Sequence, residues 1–317
     1  MLSNINRGIP KMLDVVCLND NYSTTRLVTT TIPVADRYFK KNSLKCEGGL
    51  RTKGYFKKSY KDKPLISIIT VVYNGEKDIE ETIKSVVNQT YDNVEYIIID
   101  GNSTDNTVNI IKKYEDKIDY WISEKDKGIY DAMNKGINLF HGRFLNFMNA
   151  SDIFSGTDIL ENINKKILEE KIFPEFIYGN AIIFDEDGSL IKELKPLKFS
   201  KTFLNMFSTR VVCHQAVFVN KDKVCFYDTS FKIKGDLNWY YDLLKNIEMK
   251  NIHKIDLNIC NYSLGGVSGQ NVLKNYKEQV KVMYKQNNII EFIAFLPFLL
   301  IPFIFKLKKK ILDILRK

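Results

Sequence analysis

Four blocks between residues 65 and 152 decide the fold: LISIITVVYNGE (65–76), EYIIIDGNSTDNT (95–107), SEKDKGIYDAMNKG (123–136) and FLNFMNASD (144–152). Three contain an apolar run that stops at a polar or acidic cluster: Asn74 after the first, Asp100 after the second, and Asn149 to Asp152 after the last. Continuous β-branched runs of this kind mark strands buried on both faces. LISIITVVY (65–73), VEYIIID (94–100), the shorter IDYWIS (118–123) and GRFLNFMN (142–149) read as four such strands. Between them, Ile79, Ile83, Val86 and Val87 lie at helical spacing, as do Val108, Ile110 and Ile111, and GIYDAMNKGINLF (128–140) reads as a third helix. Ser103, Thr104 and Asp105 offer N-caps for the second of these helices. Fourfold alternation of strand and helix implies an α/β architecture with a largely parallel central sheet, right-handed crossovers and flanking helices. Ligands of such open sheets bind beyond the carboxyl ends of the strands, where the acidic clusters fall.

Downstream the pattern loosens. ILENINKKILEE (159–170) reads as a helix, and EFIYGNAIIFDEDGSLIKEL (175–194) as a hairpin turning at Asp187-Gly188. CHQAVFV (213–219) is strand-like, and LNWYYDLLKNI (237–247) is an amphipathic helix opening after Gly235-Asp236. NYSLGGVSGQN (261–271) is a Gly/Ser loop, in which Gly265, Gly266 and Ser268 form either a lid over a ligand or a plain turn. Upstream, residues 1–63 read as an N-terminal extension of short strands packed on the main domain, with no visible chemistry.

The chain has 317 residues, 44% hydrophobic and 12% aromatic, which fits a folded protein. Its net charge is +9, and the tail KLKKKILDILRK (306–317), with six basic residues and one acid, carries more than half of it. Charge concentrated in a tail points to an anionic membrane surface; no basic stripe interleaved with aromatics suggests nucleic acid. The preceding FIAFLPFLLIPFIF (292–305) is fourteen uncharged residues broken by Pro297 and Pro302. A bilayer core needs about 20 apolar residues, so residues 272–317 are expected to end in a membrane-associating helical segment that dips into one leaflet. An ordinary buried helix or a dimer contact is the alternative. Five cysteines without a CxxC pair, and no apolar signal core at the N-terminus, suggest reduced thiols and a cytoplasmic protein. The expected location is therefore peripheral or monotopic on the inner face of the cell membrane.

No GxGxxG follows a strand, no GxxxxGK[ST] occurs, and the three histidines include no HExxH pattern, so dinucleotide, P-loop and histidine-zinc chemistry lack support. What remains is a carboxylate-based site. Taken singly, Asp100 reads as a turn residue or a ligand acceptor, and Asp152 as a helix cap or a ligand of Mg²⁺ or Mn²⁺. His214 reads as an interior histidine or a site residue, His141 and His253 as structural, and Trp239, Tyr240 and Tyr241 as helix-face packing.

Taken together, ISIITVVYNGE, EYIIIDGNSTDNT, SEKDKGIYDAMNKGI and FLNFMNASDIF, in this order, closely resemble the family 2 glycosyltransferases. CHQAVF (213–218), KGDLNWYYDLL (234–244) and SLGGVSG (263–269) are similar to acceptor-side elements of bacterial members that make surface polysaccharide, and GGLRTKG (48–54) to a leader seen in such enzymes. The resemblance implies a GT-A-type fold over residues 64–271, with a nucleotide-sugar-binding half (64–152) and an acceptor half (153–271). It places Tyr73, Asn74 and Asp100 near the donor base and ribose, and Asp126, Lys127, Gly128, Asp131 and Asn134 along the ribose and phosphates. Ser151 and Asp152 fall in the DxD-like motif, with Asp152 as the metal ligand. His214 and Gln215 lie on the acceptor or phosphate side, and Asp236 matches the catalytic base. Asn149 and Ser151 stand where many relatives carry acids, leaving Asp152 as the one charge of that motif.

The implied activity is inverting transfer of a sugar from a nucleotide-sugar, UDP-linked by resemblance, to a lipid-linked oligosaccharide of the capsule or O-antigen type, with Mg²⁺ or Mn²⁺ as cofactor. The alternatives are transfer onto polyprenyl phosphate, which has less need of a base, and a non-catalytic module binding nucleotide-sugar or glycan.

Overall fold

The computed structural model describes residues 26–28, 46–170, 173–185, 189–207, 211–263 and 272–300. The Gly265–Ser268 loop, the Asp187-Gly188 turn, residues 301–305, the basic tail and most of the 1–63 extension lie outside them. The strands are β1 (Arg26–Val28), β2 (Cys46–Gly48), β3 (Tyr55–Lys57), β4 (Ile66–Val72), β5 (Val94–Asp100), β6 (Tyr120–Ser123) and β7 (Phe144–Phe147). They continue as β8 (Ile153–Phe154), β9 (Phe176–Phe184), β10 (Leu190–Leu194), β11 (Val217–Asn220) and β12 (Ile252–Ser263). The helices are α1 (Ile79–Val87), α2 (Thr107–Lys113), α3 (Ile129–Leu139), α4 (Ile159–Glu169), α5 (Lys201–Phe207), α6 (Gly235–Asn246) and α7 (Val272–Gln286), and residues 289–300 are also helical.

One sheet runs β2-β6-β5-β4-β7-β11-β9-β12-β8, with β10 attached to β9. The four strands expected between residues 65 and 152 form a parallel block, since β4 pairs in parallel with both β5 and β7, and β5 with β6, and a second parallel pair joins β9 and β12. The sheet as a whole is mixed, which corrects the largely parallel expectation. β11 runs antiparallel to β7 and β9, β10 antiparallel to β9, β8 antiparallel to β12 and β2 antiparallel to β6. Apolar patterning reports burial and not direction. The first six residues of β9 and all of β11 are buried like the parallel strands, so nothing local distinguishes them.

Both faces of the sheet are covered. Ile69, Val71, Ile97 and Ile99 face α3 and α6, while Ile68, Val72 and Ile98 face α1, α2 and α4. Each fully buried Ile or Val adds about 1.5–3 kcal/mol, so the seven buried residues of β4 make it the anchor of both layers. Gly136 of α3 sits so close to Ile69 that a Cβ there would lie 2.6 Å from its side chain. That closeness seats the C-terminal half of α3 directly on the middle of β4.

The GGLRTKG segment is built into the opposite, amino-terminal end of the sheet. Gly49 adopts φ +100 and lets the backbone approach that of Ile118 and Asp119, where Leu50 and Arg51 donate N–H bonds of 3.0 and 2.8 Å. Arg51 then enters the interior, 3% exposed. Its guanidinium pairs with the buried Glu95 and donates to Leu139 O (2.8 Å) and His141 Nδ1 (2.7 Å). Glu95 also accepts from Ser67 Oγ (2.5 Å) and His141 N (2.8 Å). Burial opposes ionisation of Glu95, but Arg51 and His141 outweigh it and hold the carboxyl well below its usual range. Burial and Arg51 together push His141 down, consistent with a neutral ring that accepts from the guanidinium.

Candidate active site

The carboxyl ends of β4, β5, β6 and β7 form one rim, and the loops beyond them are tied to one another. Asn74, at φ +50, donates its N–H to Ser103 Oγ (2.7 Å) and accepts from Thr104 N (2.9 Å). Asp100 is fully buried. Its carboxylate accepts from Asn102 N (3.1 Å), Ser103 N (3.0 Å), Ser103 Oγ (2.5 Å) and Ser123 Oγ (2.5 Å). With these bonds its first task is to shape the 101–103 turn. Gly101 leaves room there: a Cβ would meet Asp126 Oδ2 at 2.5 Å and the Tyr73 ring at 3.4 Å. Tyr73, 64% exposed, and Asp126 thus flank an open step above β5.

Gly128, at φ +119, turns the chain into α3. Asp126 Oδ1 accepts from Gly128 N (2.8 Å) and Asp131 Oδ2 from Lys127 N (3.0 Å), so both acids stabilise the start of that helix. Asn134 lies one turn on and faces elsewhere. Its amide donates to Tyr227 O (2.9 Å) and accepts from Tyr227 N (2.8 Å), a bridge that holds residues 225–233 against α3.

The second cluster gathers residues from distant parts of the chain. Asp152 is 3% exposed, in a tight turn in which its N–H bonds Asn149 O (3.0 Å) and Ser151 adopts φ +80. Gln215 Nε2 donates to Asp152 Oδ2 (2.5 Å), while its Oε1 accepts from the Cys213 thiol (3.1 Å). His214 and Gln215 therefore lie on a single 3₁₀ turn (His214–Ala216) ahead of β11 and not on the strand expected for 213–219. The His214 ring packs against Phe147 (5.3 Å), Tyr227 (6.1 Å) and Trp239 (6.1 Å). Both its nitrogens are shielded from solvent and have no hydrogen-bond partner. Burial pushes its pKa down to about 4, opposed only by the nearby carboxylate of Asp236, so the ring is neutral at pH 7 with a lone pair to offer.

Asp236 opens α6. Its Oδ1 accepts from Leu237 N (2.8 Å), and among the described residues Oδ2 carries no hydrogen bond. Gly235 beside it is pressed on the Tyr130 ring, where a Cβ would come within 2.7 Å. Tyr227 and Tyr240, buried with unpartnered hydroxyls, lie within electrostatic reach of Asp236, and sequence reasoning had no signal for Tyr227.

Among the described residues no three acidic, His or Cys side chains converge as a metal cage. The orphaned nitrogens of His214, the buried carboxylate of Asp152 and the unpartnered Asn149 Oδ1 nevertheless fit an ion that takes few protein ligands. Mg²⁺ and Mn²⁺ bind in this way, completing their shells with water and phosphate oxygens. The four described cysteines are free, Cys213 and Cys260 lying 4.0 Å apart at sulfur.

The family profile described as "Glycosyl transferase family 2" matches residues 67–226, half of the chain and all of this rim. The chain belongs to that family. An uncharacterized glycosyltransferase of Mycobacterium tuberculosis is 35% identical over 178 residues, 55% of this chain and 66% of the relative's own length. Among solved structures, S. aureus TarS 1–349 in complex with UDP-GlcNAc has a TM-score of 0.54 at 16% identity, covering 70% of this chain and 67% of that one. The mannosyltransferase PcManGT from Pyrobaculum calidifontis, in complex with GDP-Man and Mn²⁺, gives 0.50 at 16% identity, covering 80% and 69%. At these identities the structural likeness establishes the shared GT-A fold, with a mixed sheet flanked by helices, for this family 2 member.

Proposed function

We propose that the chain is an inverting glycosyltransferase that moves a sugar from a nucleotide-sugar, UDP-linked by preference, to a hydroxyl of a lipid-linked oligosaccharide in surface-polysaccharide synthesis. The observation that carries this reading is that Asp236 lies within electrostatic reach of His214, whose neighbour Gln215 bonds Asp152 at the rim that holds Tyr73, Asp100 and Asp126. Structural neighbours with UDP-GlcNAc, or with GDP-Man and Mn²⁺, lend support to a nucleotide-sugar donor and a divalent ion.

In this reading Tyr73 and the 101–103 turn shaped by Asp100 receive the base and ribose, and Asp126, Lys127 and the start of α3 face the ribose and phosphates. Asp152 and His214 would hold the ion, which when bound supplies positive charge to the leaving diphosphate. Asp236 Oδ2 takes the proton of the acceptor hydroxyl as its oxygen bonds to C1, and the bond from C1 to the diphosphate breaks on the opposite side. One displacement inverts the anomeric centre, so a single base suffices. The expected test is thermal shift with UDP-sugars. UDP-sugar should raise Tm, and Mn²⁺ should enlarge the effect, because a ligand confined to the folded state stabilises it by mass action. No shift with any nucleotide-sugar would overturn the reading.

His214→Ala should raise the Mn²⁺ concentration needed for half-maximal transfer by about 10–100-fold, the usual scale for losing a metal-site partner. Titration of activity against Mn²⁺ checks this, and an unchanged midpoint would remove His214 from the ion site.

Attachment to an anionic membrane is part of the same proposal. No helix among the described residues is long and apolar enough to cross a membrane. Ile289, Ile290 and Ile293 are 61%, 76% and 61% exposed on the helical stretch 289–300, an apolar face that leads into the basic tail. Such a face followed by lysines suits the inner surface of a bilayer carrying a lipid-linked acceptor.

A further inference from the structure

Helix α7 lies outside the matched family region, yet it holds the chain just ahead of Asp236. Glu278 Oε2 accepts from three successive backbone N–H groups, those of Lys232 (3.0 Å), Ile233 (2.7 Å) and Lys234 (3.0 Å), and Oε1 accepts from Lys232 as well (3.1 Å). Consecutive N–H groups turned to one side form an anion-binding concavity, here filled by a side chain of the same protein. The opposite side of this short segment is also tied. Tyr130 Oη donates to Ile233 O (2.8 Å), and Lys232 Nζ donates to Lys127 O (3.0 Å). Further along α7, Lys285 pairs with Asp228 (2.8 Å), Lys281 Nζ lies 4.6 Å from the Phe231 ring centroid, and Gln286 Nε2 donates to Asn238 Oδ1 (2.8 Å). Residues 228–238, with Asp236 among them, are thus braced along their length by α7, and Glu278 grips the two residues that lead directly into Gly235-Asp236.

We infer that Glu278 is a positioning residue for Asp236: its carboxylate gathers the 232–234 N–H groups and so sets the start of α6 and the aim of the base. This inference rests on the proposed role of Asp236. No other described acid reaches these N–H groups. Loss of Glu278 would leave three donors to water and free the segment to move away from Tyr130, and a displacement on the order of 1 Å in such a site costs up to about 100-fold in rate.

The test compares Glu278→Ala, Glu278→Gln and Lys285→Ala in the full chain, with donor consumption measured against a lipid-linked acceptor. Glu278→Ala should lower kcat by roughly 10–100-fold with the donor KM within about twofold of wild type. Glu278→Gln, which keeps one acceptor oxygen, should recover part of the loss. Lys285→Ala, which loosens the same helix without touching residues 232–234, should stay near the wild-type kcat. If Glu278→Ala does not fold, the Gln variant alone decides, and a kcat equal to wild type overturns the inference. It is also overturned if Glu278→Ala and Lys285→Ala lose activity alike, or if the loss appears as weaker donor binding. Asp236→Asn separates this from the parent reading. A dead Asp236→Asn beside a fully active Glu278→Ala rejects only the positioning role, whereas an active Asp236→Asn rejects the base itself.

Discussion

Asp236→Asn is expected to lower sugar transfer by about 10²–10⁴-fold, the usual contribution of a general base, while leaving affinity for UDP unchanged. The substitution is close to isosteric. An Asn Oδ1 can still accept the Leu237 N–H bond that holds Asp236, so α6 keeps its first turn and the fold is untouched. What is lost is the proton acceptor at Oδ2, because an amide cannot take the hydroxyl proton in the transition state. Single-turnover kinetics beside calorimetry of UDP binding would measure the two effects separately. A variant that keeps more than a tenth of the wild-type rate would point instead to a phosphate acceptor already ionised before attack, the polyprenyl-phosphate reaction.

Arg51→Ala is expected to destabilise the protein by about 3–5 kcal/mol, the cost of leaving a buried carboxylate without its partner. Arg51 and Glu95 are 3% and 2% exposed, and Ser67, Leu139 and His141 complete their hydrogen bonding. Urea unfolding should show the loss in midpoint at unchanged slope. An Arg51→Met, Glu95→Gln double variant should lose less than the sum of the two single changes, since the partners are coupled. The pH dependence has a fixed sign. Glu95 is depressed in the folded state, so its stabilisation is present above the ordinary glutamate value near 4.3 and is lost as pH falls through the lower folded value. Arg51→Ala should therefore flatten the acid limb of the stability profile. A loss below about 1 kcal/mol would mean that the pair is not desolvated.

The parallel strands β4 to β7 were readable because each is buried on both faces and says so residue by residue. β12 was not. Its ladder with β9 shifts register between Lys254 and Asn258 and again between Asn258 and Cys260, so the apolar positions of IHKIDLNICNYS keep no steady period of two. GGLRTKG was legible as a motif, but its purpose needed Glu95, far along the chain, and an acid second in a strand that is otherwise apolar up to Asp100 was the signal that a cation had to come from elsewhere. Asp152 and Gln215 sit far apart in sequence, and only the fold brings them into contact. Asn134 matches the family pattern by position, yet its amide is spent on the Tyr227 backbone. A motif fixes where a residue sits on a helix, while its partners depend on what packs against that turn. Glu278 had no sequence signal at all, because backbone N–H groups are the same in every residue.

The ends of the large sheet carry a consequence for how copies of the chain coexist. Its terminal strands are β2, with three residues, and β8, with two. The longer β10, which hangs on β9, has Lys192 and Glu193 exposed. Stubs this short, and a charged fringe on the third, give a neighbouring molecule too few free amides to extend the ladder. Among the described residues, these three strands therefore offer crowded copies of the chain little purchase for growing into fibrils.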